Sequence, residues 1–363
     1  MIDQNSISIH WINEVSLKNR NADKILVEKV IRALLLLEGL AQEHLNFVFK
    51  GGTALMLHFN STRRLSIDID ILITKMPQKL NDTLGNVVIK QGFTRLELNP
   101  RASHSKINKA HYKFFYNSLY STGKAEDYIM LDILIETINY ENILQLPIQS
   151  VFVPSKEEPV FVQMPSMEDL LADKLTAFAP NSTGIPYFKN SDSMGMEIIK
   201  QLYDIGNLFD IAENLEVIKS TFYRFAKTEL EYKTTHLTVE DVLEDIFQTS
   251  LCIVSRGTDG VGDFEHLRMG LKRVTSFIFS ENYHIEKAIT HATKAAYLSV
   301  LIKHNALNFD KFSPSYKMDN WKIDLPYNTK LNKLKKSNAE AFFYWFKMFE
   351  LDNKKNEMNT NIM

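Results

Sequence analysis

Two short runs decide the reading of this sequence: Lys50-Gly51-Gly52-Thr53-Ala54-Leu55 and Arg64-Leu65-Ser66-Ile67-Asp68-Ile69-Asp70. Phe47-Val48-Phe49 precedes the first run and has the apolar character of a short buried strand, so a strand ends at Lys50. Paired glycines let the backbone turn tightly and come close to a ligand. Residues Thr53 to Phe59 can then form a short helix, whose free N–H groups and positive dipole end suit a phosphate. The second run continues to Ile73 as Leu-Ser-Ile-Asp-Ile-Asp-Ile-Leu-Ile, a period-two alternation that predicts a strand over 65–73. On it Asp68 and Asp70 share one face, while Ile67, Ile69 and Ile71 share the other, the core face. Two carboxylates on one face repel each other, and a hard divalent cation relieves that repulsion. Magnesium, bound by carboxylates together with substrate phosphates, is the usual solution. Alone, a Gly-Gly is ordinarily a turn, and an Asp-x-Asp is ordinarily a solvated strand face. Here the link from Thr53 to Leu65 is short enough to place both at one end of adjacent strands.

Upstream, the apolar spacing predicts a helix over Asp23 to Leu40, with Gly39 near its end. Downstream, Tyr112 to Phe115 and Tyr128 to Ile135 read as further strands. Val151 to Phe161, broken by Pro154 and Pro159, reads as an edge strand and connector. The texture changes at Ser166. Ser166-Met167-Glu168-Asp169 resembles a capping box opening a helix through Phe178, Pro180 to Asp192 is a polar loop, Glu197 to Leu208 is helix-patterned, and Thr238-Val-Glu-Asp241 is a second cap signal. Helical patterning then continues to about Phe349, and the polar tail from Asp352 to Met363 is expected to fray. The expected fold class is therefore α+β. A mixed sheet with flanking helices occupies residues 1–165, and a mainly helical domain occupies 166–363.

The bulk numbers agree with two domains: 363 residues exceed what one compact core of roughly 100–200 residues holds. A net charge of −2 means that a nucleic-acid partner would need a local basic face. The single cysteine, Cys252, excludes an internal disulfide and a Cys-rich zinc site. Residues 1–21 show no apolar core after a basic start, which predicts no signal peptide. Apolar runs such as Ala33 to Leu37 fall far short of the ~20 residues that a membrane helix needs. No membrane partner and a cytoplasmic location are the expectation.

The segment from Lys50 to Asp70 resembles the nucleotidyltransferase superfamily with a DNA polymerase β-like fold, whose signature is Gly-Gly-Ser/Thr at a helix start followed by Asp-x-Asp. Lys-Gly-Gly-Thr-Ala-Leu followed by Arg-x-Ser-x-Asp-x-Asp is similar, more closely, to the AbiEii/AbiGii toxin family, the toxin halves of bacterial abortive-infection toxin–antitoxin pairs. The resemblance implies a nucleoside triphosphate held by Gly52 and Thr53, with Lys50, Gly51, Arg64 and Ser66 shaping the same pocket, and Mg2+ (two ions being possible) held by Asp68 and Asp70. It also implies transfer of a nucleotide to an acceptor such as tRNA, or to the protein itself, with release of pyrophosphate. The implied biology is a cytoplasmic toxin of phage defence, checked by a cognate antitoxin.

The resemblance extends over residues 45–210. Superfamily members often add a third carboxylate from a neighbouring strand. Asp132 in Met130-Leu-Asp-Ile-Leu-Ile135 fits, as a metal ligand or as the base for the attacking hydroxyl; taken alone it is equally an edge-facing polar residue. Lys174, in the helix Met167 to Phe178, takes the place of a lysine that contacts nucleotide phosphates. Without the resemblance it would be a lysine snorkelling from beside a core stripe. Lys200-Gln201-Leu202-Tyr203-Asp204-Ile205 resembles a further motif, Arg-Asp-x-Tyr-Asp-Leu. Asp204 matches its second acid, and Gln201 replaces the first. Asp204 could equally be a helix-surface acid, or pair with Lys174 and position it. The expected catalytic set is thus Asp68, Asp70, Asp132, Lys174 and Asp204.

Two basic clusters, Arg101-His104-Lys106-Lys109-His111-Lys113 and Lys330-Lys333-Lys335-Lys336, could track an RNA backbone, although a solvated surface is the commoner explanation for such runs. The dense Phe342-Phe343-Tyr344-Trp345-Phe346 is read as helical core or a partner face ahead of a base-stacking platform. Transfer to a small molecule or protein, and a non-catalytic binding role on the same scaffold, are the competing readings.

Overall fold

The computed structural model describes residues 1–59, 63–100, 108–120, 123, 125–156, 158–233, 235–325 and 327–360. The chain divides into two units, Met1–Ser166 with Thr275–Asn282, and Met167–Val274 with Tyr283–Met363.

In the first unit, α1 (Ile9–Lys18) and α2 (Lys24–Gln42) precede β1 (Val48–Lys50), α3 (Gly51–His58), β2 (Ile69–Ile73), α4 (Leu80–Lys90), β3 (Arg95–Leu98), β4 (Asn108–Asn117), β5 (Glu126–Ile135), β6 (Ile143–Pro147) and β7 (Phe161–Pro165). The strands form one mixed sheet in the order β3-β4-β5-β2-β1-β7-β6. Asp23 caps α2, accepting from the N–H groups of Ile25 (2.8 Å) and Leu26 (3.2 Å). This satisfies donors that the first helical turn leaves orphaned. Val27, Val30, Ile31, Leu34 and Leu37 of α2 are buried, and the helix packs against β2 and β5. The core-facing side chains recur at every second residue, and Val48, Leu72 and Met130 are buried on the other face as well. Ile69, Ile71 and Ile73 of β2, Ile129, Leu131 and Ile133 of β5, and Tyr112, Phe114 and Tyr116 of β4 form the buried core face.

Two expected strands are corrected. The alternation from Leu65 promises a strand from that residue, but β2 starts at Ile69. Residues 65–68 find partners outside the ladder: Leu65 N–H donates to Phe277 O (2.7 Å), and Asp68 O accepts from Thr53 Oγ1 (2.6 Å). Of Val151 to Phe161, only Phe161 enters a strand; the rest is a connector with isolated bridges Ile2↔Ser155 and Ser150↔Val153. The edge strand is β6 instead.

The second unit contains α5 (Met167–Ala177), the hairpin β8 (Phe188–Lys189) and β9 (Asp192–Ser193), then α6 (Gly195–Ile211), α7 (Leu215–Lys233), α8 (Val239–Val254), α9 (Phe264–Val274), α10 (Ile285–Lys303), α11 (Leu334–Ser337) and α12 (Ala339–Thr360). Thr238 and Asp241 form the capping box that the sequence signals at the start of α8. Phe342, Phe343, Tyr344 and Trp345 of α12 are buried, so the aromatic run is core. The last helix, α12, runs to Thr360. Among the described residues no helix is long and apolar enough to cross a membrane.

Candidate active site

Strand register brings four charged or ionisable residues, far apart in sequence, into one transverse row. Lys50 of β1 pairs with Asp70 of β2 in antiparallel register, Asp70 pairs with Asp132 of β5 in parallel register, and Asp132 pairs with His111 of β4 in antiparallel register. Because side chains opposite each other in a ladder point to the same face, the row Lys50–Asp70–Asp132–His111 lies on the face opposite the core. Asp68 stands two residues before Asp70, just outside the strand, and is exposed. The His111 ring contacts Asp132 through Nδ1···Oδ1 at 2.6 Å. A carboxylate can only accept, so Nδ1 carries the hydrogen. The Lys50 ammonium lies 5.8 Å from the Tyr140 ring centroid.

The glycine turn is built against this row. Gly51 has φ +83°, and a Cβ there would lie 2.1 Å from Asp70 Oδ2. Glycine is therefore needed twice over, for the left-handed backbone and for the contact with the carboxylate. A Cβ at Gly52 would lie 2.5 Å from Arg64 Nη2 and 2.7 Å from Ser66 Oγ, so both side chains press against the start of α3. Lys50 makes no side-chain cap on α3. Thr53 is fully buried and its hydroxyl is given to Asp68 O (2.6 Å), tying the helix to the carboxylate-bearing segment. Arg64 is buried too, with Nη1 donating to Leu65 O (3.3 Å).

In the second unit, Lys174 of α5 and Asp204 of α6 form an ion pair at 3.2 Å, with side chains 8% and 2% exposed. Asp204 is thus neither a surface acid nor distant from Lys174. Tyr203 beside it packs edge-on against Tyr283 at 4.9 Å. Of the basic clusters, Arg101, His104 and Lys106 lie outside the described residues. Lys109, His111 and Lys113 alternate along one face of β4. Lys335 donates to Asp319 O (3.0 Å) and Trp321 O, which makes it a structural clip.

The sequence model of the AbiEii family, nucleotidyl transferase toxins of type IV toxin–antitoxin systems, matches residues 35–257, well over half of the chain. This chain belongs to the AbiEii family. Its activity class is accordingly nucleotidyl transfer. Among solved structures, MenT4, a nucleotidyltransferase toxin from Mycobacterium tuberculosis H37Rv, has TM-score 0.52 and 11% identity over 81% of this chain and 89% of its own, a likeness of fold. JHP933 from Helicobacter pylori has TM-score 0.41 and 14% identity over 77% of this chain and 90% of its own. None of the curated proteins matches the chain.

Two features of this AbiEii chain escape a reading of the sequence. His111 reads as one member of a basic cluster, yet it is bonded to Asp132. Its position at i, i+2 between Lys109 and Lys113 was the only signal. The segment Thr275–Asn282 returns from the helical half to the first unit, where Phe277 O holds Leu65 N–H and Ser280 Oγ donates to Arg63 O (2.6 Å). Nothing local in the sequence announces that strap, because the partners are more than 200 residues apart.

Proposed function

We propose that this AbiEii-family chain transfers a nucleotidyl group from a nucleoside triphosphate to a hydroxyl of tRNA or another RNA, and that this arrests growth in phage defence unless a cognate antitoxin intervenes. The observation that carries the reading is the contact between Gly51 and Asp70, which sets an uncapped helix N-terminus directly against a row of carboxylates. The amides of Gly51 and Gly52, at a helix start that Lys50 does not cap, suit the triphosphate. Arg64 and Ser66, pressed against Gly52, shape the same pocket, and Lys50 closes one end of the row. Asp68, Asp70 and Asp132 offer the hard oxygen donors that Mg2+ prefers. Among the described residues no three His, Cys, Asp or Glu side chains close into a ready cage. That suits a cation that takes one or two carboxylates and completes its shell with water and substrate phosphates. When bound, the cation neutralises charge on the triphosphate and on the departing pyrophosphate.

In the proposed step an acceptor hydroxyl oxygen forms a bond to the α-phosphorus, the bond from that phosphorus to the bridging oxygen of the β-phosphate breaks, and the hydroxyl proton passes to a carboxylate of the row. The chain's share is positioning and electrostatics. Asp204 holds the ammonium of Lys174, the lysine that the family resemblance pairs with nucleotide phosphates. Lys109 and Lys113, on the same face of β4 as His111, support an RNA backbone as acceptor.

The test is incubation with each of the four α-labelled nucleoside triphosphates, Mg2+ and total tRNA. Label on RNA that disappears in Asp68→Ala and Asp70→Ala is the expected result. Label reaching only protein or a small molecule would move the acceptor to that class, and label reaching nothing, with growth arrest unaffected by either substitution, would remove the catalytic reading.

A further inference from the structure

We infer that His111 is a positioning residue: it holds the Asp132 carboxylate in the orientation that the site needs to bind its divalent cation. This rests on the reading above that the carboxylate row is the cation site. No part of that reading requires a histidine, and the sequence places His111 among lysines that face solvent or RNA.

The argument begins with register. In an antiparallel ladder two residues directly opposite bring their Cβ atoms to about 4.5–5.5 Å. His111 and Asp132 are such a pair. An imidazole and a carboxylate at that separation can meet without stretching either side chain, and they do, at 2.6 Å. The neighbours on the same face of β4, Lys109 and Lys113, pair with Leu134 and Met130 of β5. Lys113 turns its ammonium to the Tyr128 ring, 4.8 Å from the centroid. So of the three described members of the basic run, the one opposite the carboxylate row is the one with a planar, directional donor.

The bond has geometric consequences. A carboxylate can rotate about its last torsion with little resistance. A short hydrogen bond to one oxygen removes that freedom and defines where the other oxygen points. The His111 ring is itself constrained: its side chain is 13% exposed, and its strand carbonyl accepts from Asn99 N–H at 2.7 Å. A lysine at 111 could neutralise Asp132 but could not orient it, because an ammonium is a rotating point charge on a flexible stem. Carboxylates that bind metals are commonly held by such outer partners, whose loss costs roughly 10–100-fold in metal affinity or activity.

The experiment is Mn2+ binding to the full chain in the presence of a non-hydrolysable nucleoside triphosphate, followed by the decrease of the free Mn2+ electron paramagnetic resonance signal, with thermal melting alongside. His111→Ala is expected to weaken Mn2+ binding roughly 10–100-fold with little change in melting temperature. His111→Asn places an amide N–H near the position of Nδ1 and is expected to restore binding to within about threefold. Asp132→Ala is expected to match or exceed the defect of His111→Ala. The inference is overturned if His111→Ala binds Mn2+ like the parent, if His111→Asn is as weak as His111→Ala at equal stability, or if Asp132→Ala binds normally. In each of those cases Asp68→Ala and Asp70→Ala still lose Mn2+, which keeps the cation site itself intact. Should those two variants also bind normally, the proposed function fails and this inference with it.

Discussion

Gly51→Ala is the sharpest perturbation of the site. Two costs can be read from the geometry. First, φ +83° forces an alanine into the left-handed region, at about 1–2 kcal/mol. Second, the new Cβ would lie 2.1 Å from Asp70 Oδ2, more than 1 Å short of ordinary contact, with Asp70 Cγ at 2.9 Å and Cβ at 3.0 Å. The carboxylate cannot swing clear by its tip alone, since its own Cβ is also crowded, so Asp70 or the turn must retreat. Misplacing a catalytic group by about 1 Å costs on the order of 100-fold in rate. The expectation is therefore a modest loss of stability, about 2–8 °C in melting temperature, and a disproportionate loss of label transfer, about 100-fold. Two other glycines separate these effects. Gly92, just past α4, has φ +70° and open space around its Cβ position, so Gly92→Ala carries the strain without the collision and is expected to melt earlier yet transfer normally. Gly85, within α4, has nothing near its Cβ, and Gly85→Ala is expected to gain up to about 1 kcal/mol from helix propensity. The readouts are transfer from α-labelled nucleotides, growth arrest on induction, and melting temperature. Transfer by Gly51→Ala within threefold of the parent would refute the reasoning, because it would mean that the Gly51–Asp70 contact does not set the catalytic geometry.

Other consequences can be checked more briefly. Lys174→Met leaves the Asp204 carboxylate buried without its cation, which costs about 3–5 kcal/mol, so chemical denaturation should show a large loss in the single variant and a smaller one in Lys174→Met/Asp204→Leu, while both fail to transfer label; an unchanged denaturation midpoint for the single variant would contradict the buried pair. Glu38 accepts from Ile2 N–H at 2.8 Å, and burial pushes its carboxyl above the ordinary range. A raised folded-state value means that its contribution to stability is greatest below the ordinary carboxyl range and is lost as pH rises through the raised value. Glu38→Gln, which keeps the acceptor and drops the charge, should therefore melt higher than the parent at pH 8 and converge with it toward pH 4; a gap that widens in acid would reverse the sign. Cys252 is 2% exposed and burial pushes its thiol up, so an alkylating reagent at neutral pH should label it only after unfolding.

The parts of the fold and of the site that show in the sequence are those written in local pattern. The Asp23 cap of α2, the Thr238–Asp241 box and the Ile69-Ile71-Ile73 core face each depend on residues a few positions apart, and each stands in the structure. The glycine turn and Asp-x-Asp are equally local, and 21 residues of sequence are enough to name the candidate site. What fails to show is set by distant partners. The start of β2 depends on Phe277 and Thr53 capturing backbone groups that the alternation alone would give to a ladder. β6, Ile143-Leu-Gln-Leu-Pro147, is too short and too apolar for an alternation to stand out. Asp204 left two readings open, and only the packing of α5 on α6 decides between a surface acid and the partner of Lys174.

The row Lys50–Asp70–Asp132–His111 shows how topology can assemble chemistry that no single motif contains. Each link is one ladder pairing, and a one-residue slip in any of them would turn a polar residue to the core face and bring an apolar one into the row. In β4 the slip would exchange His111 for Ala110 or Tyr112; in β5 it would exchange Asp132 for Leu131 or Ile133. The same slip would drive His111 or Asp132 into the layer that Phe114, Ile129 and Leu131 fill. Burying an unpaired charge costs several kcal/mol, and opening the apolar layer costs about as much again. The hydrophobic face thereby enforces the register that aligns the carboxylates. The geometry of the site is held mainly by isoleucines, leucines and phenylalanines on the far side of the sheet, so substitutions such as Ile71→Ala or Ile133→Ala should lower transfer in parallel with stability, whereas His111→Ala and Gly51→Ala should lower it out of proportion to stability.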